Sequence, residues 1–127
     1  MSTDGARPGF VAEDLVARTL VARGWMVLER NVRIGKLEID LLVRKEDVVA
    51  IVEVRGRRAS GWQDPLDTID REKRRRLARG ARGLWSRRFA KDRTIRVLRI
   101  DIAGVTWTPE GEPKIEIVEG AIDPSLR

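Results

Sequence analysis

Four residues on two neighbouring β-rich runs could do chemistry together: Glu38, Asp40, Glu53 and Arg55. The runs, residues 37–44 and 48–55, are separated by Lys45, Glu46 and Asp47, a polar break that fits a hairpin. A turn centred between Glu46 and Asp47 pairs residues whose numbers sum to 93, so Asp40 faces Glu53 and Glu38 faces Arg55. Side chains alternate with period 2, which puts these four on one face and Ile39, Leu41, Val43, Val52 and Val54 on the other. Directly opposed residues have Cβ atoms ~4.5–5.5 Å apart. Two carboxylates that close repel each other unless a cation lies between them. A hard divalent ion such as Mg²⁺ takes oxygen ligands and keeps several waters, so two or three carboxylates suffice to hold it. Such an ion polarises a phosphoryl oxygen and lowers the pKa of a bound water that attacks phosphorus. A nearby cation, here Arg55 or Lys73, would stabilise the added charge of the transition state. The same spacing is met equally by a cross-strand ion-pair ladder, Glu38 with Arg55 and Asp40 with another arginine.

Other chemistries are excluded by what the chain lacks. It has 127 residues with no cysteine and no histidine, which removes thiolate nucleophiles, Cys-ligated zinc, disulfide partners and Ser-His triads. Any metal site must be built from oxygen. The length and the 42% hydrophobic, 36% charged composition fit one soluble domain with a real core. Apolar stretches fall below the ~18 residues of a membrane span. Residues 1–8 contain Asp4 and no apolar signal core, so they are expected to be a flexible N-terminus of a cytoplasmic protein without a membrane partner.

Charge is concentrated. Residues 71–93 hold eleven Lys or Arg against two acids, so that segment carries +9 of a total of +6 and the rest of the chain is mildly acidic. A focused cationic stripe points to a polyanion such as nucleic acid, although a solvated helix face has the same composition.

The elements that must position these groups follow from periodicity. Residues 9–23 read as a helix ended by Gly24, and its helical wheel places Phe10, Val16, Ala17 and Leu20 on both sides of Glu13. A carboxylate within an apolar face is either paired or functional. Residues 25–31 read as a strand and 32–36 as a connection containing Gly35. Residues 70–89 read as the Arg-rich helix, with Leu77, Ala78, Ala81, Leu84, Trp85 and Phe89 as its core stripe. Lys73 lies one turn before Leu77, on the face turned to the sheet, where it is either near the carboxylates or one more solvated lysine. A fourth strand is expected at 94–103, and a terminal hairpin at 105–108 with 115–118 around a Pro- and Gly-containing turn. The order is α-β-β-β-α-β with a C-terminal β-hairpin addition.

These residues resemble a known pattern. Glu38-Ile39-Asp40 followed by Glu53-Val54-Arg55, with Glu13 on the preceding helix, is similar to the PD-(D/E)xK nuclease superfamily and, more narrowly, to its YraN-like family of bacterial proteins. The likeness covers most of the chain and includes Gly9, Ala17, Gly24-Trp25, Arg30-Asn31, Arg57, Pro65, Lys73, Arg76-Leu77 and Arg99-Ile100-Asp101. It implies a single α/β domain over residues 1–127, a restriction-endonuclease-like core with a mixed sheet flanked by helices. It further implies that Glu13, Asp40 and Glu53 ligate Mg²⁺ or Mn²⁺ and act with Arg55 and Lys73 in catalysis. Two positions depart from the pattern. Arg55 stands where the family has lysine, and an arginine fork cannot act as a base. Leu37 stands where members carry glycine.

The resemblance leaves two main expectations. One is a metal-dependent endonuclease acting on DNA in branched, damaged or single-stranded form. The other is a nucleic-acid-binding module with the nuclease fold and weakened chemistry, for which Arg55 is the signature. A third, a scaffold for an acidic protein or ribosomal surface, has only the charge stripe behind it. Arg57 and Arg58 after the acids, and Arg74, Arg75 and Arg79 on the helix, are the expected phosphate contacts. Trp62 stacks on a base or covers the core edge, and Asp101 is expected to make a structural hydrogen bond or ion pair. A homodimer is compatible with all of this.

Overall fold

The computed structural model describes residues 8–58 and 64–127, with the side chains of 8–10, 57 and 58 left out. Residues 1–7 and Trp62, on which two of the expectations rest, lie outside the described residues.

Helix α1 (Pro8–Ala22) ends where Gly24 turns to φ +96°, a conformation that costs glycine nothing. The amide of Trp25 then donates back to the Leu20 carbonyl at 2.9 Å, and that of Gly24 to Val21 at 3.0 Å, closing the last turn. Three antiparallel-linked strands follow: β1 (Met26–Ile34), β2 (Leu37–Lys45) and β3 (Val48–Arg58). A 3-10 turn (Pro65–Thr68) leads into α2 (Arg71–Leu84), which continues through one wider π-helical turn (Trp85–Phe89). The chain returns as β4 (Val97–Trp107), parallel to β3, and closes with β5 (Pro113–Ile122), antiparallel to β4. The sheet order is β1-β2-β3-β4-β5.

Both faces of this mixed sheet are covered, and its central strands are correspondingly apolar on both sides. Ala12, Val16, Ala17 and Leu20 of α1 pack with Leu41, Val43, Ala50, Val52, Ala103 and Val105. Leu77, Ala78, Ala81 and Leu84 of α2 pack on the opposite face against residues such as Val49, Ile51, Ile100 and Ile102. The expected α/β architecture and element order are therefore present.

Three local expectations need correction. First, β1 runs on to Ile34 and turns through Gly35 and Lys36 alone, with Gly35 at φ +61°, so residues 32–34 are strand rather than connection. Second, β4 does not break at Gly104. A glycine there reads as a stop, but an added Cβ would stand 2.6 Å from Pro65 Cγ, so the residue serves close approach of the 3-10 turn. The first arm of the terminal hairpin is thus the far half of β4. Third, Ile39 does not share a face with Leu41 and Val43: it packs on the α2 side and they pack on the α1 side. Asn31, which would face Asp40 in the β1/β2 register, adopts φ +53°, a conformation asparagine tolerates better than most residues. The alternation of faces changes across this point, between Ile39 and Leu41.

Candidate active site

The hairpin register is the one that the turn dictates. Leu41 pairs with Val52 and Lys45 with Val48, each pair summing to 93. The backbone pairing of β2 with β3 stops at Leu41, where Asp40 takes over: its Oδ2 accepts the Val54 amide at 2.8 Å. A side chain thus satisfies a strand donor and holds the Asp40 carboxylate against β3. Glu53, one residue before Val54, is only 5% exposed, and its carboxyl hydrogen-bonds that of Asp40.

Two carboxyls in contact, one buried and one half-buried, cannot both ionise cheaply. Burial, followed by the Asp40 charge, pushes Glu53 up to about 7, with Lys73 and Arg55 pulling the other way. Asp40 is raised as well, again by burial first, and the Val54 hydrogen bond opposes the rise. Both carboxyls are therefore harder to ionise than free ones, and the two titrate as one unit. Glu13 on α1 is also raised, by burial and then by the charges of Asp40 and Glu38, so it belongs to the same acidic field.

The cation of the site comes from α2. Asp70 caps the helix by accepting the Lys73 amide at 2.8 Å, which fixes the first turn. Lys73 Nζ then lies 3.6 Å from Glu53 Oε2. Arg55 is further away in effect: its Nη1 is 3.9 Å from the same oxygen, while Nε and Nη2 donate to Thr68 Oγ1 at 3.2 Å and Thr68 O at 3.0 Å. Thr68 in turn donates to the Pro65 carbonyl at 2.6 Å. Thr68 was not legible as a site residue, since nothing in its type or spacing marks a loop hydroxyl as the anchor of an arginine. The ladder pairing of Glu38 with Arg55 is absent among the described residues, and Glu38 lies instead 3.9 Å from Arg33.

The structure thus brings Asp40, Glu53, Lys73 and Arg55 together and sets Glu13 beside them. Among the described residues no group of three acidic side chains forms a metal cage. Two contacting carboxylates that retain a proton are nevertheless a donor set suited to a hard divalent ion, which commonly takes one or two carboxylates and fills its remaining positions with water.

The expected phosphate contacts divide. Arg74 turns inward, donating from Nε to Ile69 O and from Nη2 to Leu66 O, each at 2.9 Å. Arg75 and Arg79 are exposed. Arg57 and Arg58 lie on β3, and their side chains are outside the described set. Asp101 is a structural residue as expected, accepting from Arg99 Nε and from the Gly120 amide, each at 2.9 Å.

Fold and site together define a mixed α/β domain, helix-covered on both faces, with a buried glutamate, a half-buried aspartate and a lysine where β2, β3 and α2 meet. By sequence the chain belongs to the uncharacterised protein family UPF0102, whose model matches residues 12–105, a span that includes Glu13, Asp40, Glu53 and Lys73. A UPF0102 protein of Sorangium cellulosum is 42% identical over 113 residues, covering 89% of this chain and 78% of the relative. One from Clavibacter michiganensis is 37% identical, covering 86% and 90%. Another from Streptomyces coelicolor is 36% identical, covering 94% and 91%. Among solved structures, the chain resembles "The structure of Pyrococcus Furiosus SfsA in complex with Ca2+" with a TM-score of 0.43 at 13% identity. That match covers 87% of this chain and 62% of the other protein's length, and a likeness so loose carries no functional inference. Among the described residues, no helix is long and apolar enough to cross a membrane.

Proposed function

We propose that this protein is a metal-dependent phosphodiester hydrolase acting on DNA, with the chemistry of the PD-(D/E)xK nucleases. Asp40 and Glu53 would hold Mg²⁺ or Mn²⁺, with Glu13 flanking them. When bound, that ion would polarise a phosphoryl oxygen and activate a water. The chain's own groups do the rest. The Asp40/Glu53 pair gives up a proton when a cation is present, and the burial of Glu53 strengthens its pull on that cation. Lys73 supplies the positive charge that the PD-(D/E)xK pattern places two residues after Glu53, and can neutralise charge developing on the phosphate. Arg55 keeps its guanidinium on Thr68 and acts by position.

One observation supports the reading above all others: two contacting carboxyls, one of them 5% exposed, with an ammonium 3.6 Å away. A second reading, a nucleic-acid-binding module that no longer cleaves, is favoured by Arg55, whose donors are engaged with Thr68. Nicking of supercoiled and branched DNA separates them. Mg²⁺- or Mn²⁺-dependent nicking by the wild type, reduced by roughly 10²-fold or more in Asp40→Asn, Glu53→Gln and Lys73→Ala, is the expected outcome. Binding of the same DNA with no nicking at any metal concentration would select the second reading.

A further inference from the structure

Beyond the acid pair, the junction of α2 with the β1/β2 turn carries a second constellation. Lys36 in the β1/β2 turn and Arg76, Arg79 and Arg87 line a groove of about 450 Å³ whose walls also include Gly80 and Gly83. None of the four cations has an ion-pair or hydrogen-bond partner among the described residues, whereas Arg74, Arg82 and Arg88 of the same segment are engaged with carbonyls or with Glu29. Unpaired cations converging on a concave surface attract an anion from outside the chain.

The two glycines have different causes. At Gly80 an added Cβ would run into Leu37 Cδ2, so close helix-to-hairpin packing accounts for it. At Gly83 nothing lies within 4 Å of such an atom. Glycine weakens a helix relative to alanine, and no packing within the described fold explains it here. Its effect is to keep the groove open.

Lys73, Arg76, Gly80 and Gly83 recur at alternating steps of three and four, so they form one stripe along α2, and Arg87 lines the same groove from the π-helical turn. The stripe begins at the lysine beside Glu53 and extends roughly 15 Å to Gly83 at 1.5 Å per residue. No aromatic side chain lines the groove, so it offers no stacking platform for bases and suits the sequence-independent phosphate backbone.

We propose that this groove holds the phosphodiester backbone of a single nucleic-acid strand running away from the acid pair. The direction of the strand rests on the proposed function; the groove itself does not. The test is fluorescence anisotropy with a labelled single-stranded DNA dodecamer and the full chain in EDTA, where cleavage is silent. Arg76→Gln/Arg79→Gln/Arg87→Gln should weaken binding at least tenfold and lower the slope of log K against log salt by about 2, at ~0.7 per lost phosphate contact. Gly83→Leu, which leaves every charge in place, should weaken binding without lowering the melting temperature. Arg18→Gln, on the exposed face of α1, should bind as wild type. Unchanged affinity and slope in both groove variants would overturn the proposal, as would tighter binding of an acidic peptide than of the DNA. Intact groove-dependent binding with no nicking under Mg²⁺ would defeat the proposed reaction and leave the groove standing.

Discussion

Glu53 is the residue on which the proposed chemistry turns, because its environment makes it a weak acid beside an ammonium. Its value rises from 4.5 to about 7, so the folded protein keeps a proton that the unfolded chain releases in that interval. A raised carboxyl contributes stability that is fully present below about pH 4.5 and is lost as pH rises through about 7. Asp40 shifts in the same direction and adds to the effect. Metal-free wild type should therefore lose melting temperature between these limits relative to Glu53→Gln, which cannot ionise. Parallel pH profiles for the two proteins would show that the carboxyl is not perturbed. Lys73 bears on the same residue, since its charge opposes the rise.

At the scale of elements, Gly104 on β4 and Gly83 on α2 should respond oppositely to alanine. Gly104→Ala would press a methyl group against Pro65 Cγ, 2.6 Å from the added atom, and should cost about 1–3 kcal/mol. Gly83→Ala meets nothing within 4 Å and should gain up to about 1 kcal/mol from helix propensity alone. Chemical denaturation measures both, and equal changes would contradict the packing described. The contrast also explains what could be read from the sequence. The β2/β3 register was legible because a tight turn and a two-residue alternation leave few alternatives. The role of Gly104 was hidden because the atom it makes room for belongs to Pro65, 39 positions earlier. The face change around Asp40 was hidden for a similar reason: it accompanies a positive φ at Asn31 on the neighbouring strand, and no periodicity within β2 encodes it.

Across the whole molecule, the site sits where both cores are joined. Glu13 rides on the helix covering one face of the sheet, Lys73 on the helix covering the other, and the acid pair lies on the strands between them. The charge run is uniform in composition, but the structure separates arginines that brace the fold from those without a partner among the described residues. Arg82, for example, ties the C-terminal segment to α2 through the carbonyls of Pro124 and Leu126. Which arginine does which could not be read from a run of like charges, since the acceptors are main-chain oxygens that every residue carries.

The central claim is that the Asp40/Glu53 pair exchanges its proton for a divalent cation. Calorimetric titration of the metal-free protein with Mn²⁺ at about pH 6.5, repeated in buffers of different ionisation enthalpy, measures that exchange directly. One bound ion with release of about one proton in the wild type, and neither in Asp40→Asn/Glu53→Gln, is the expected result. Binding without proton release, or binding that survives in the double variant, would contradict it.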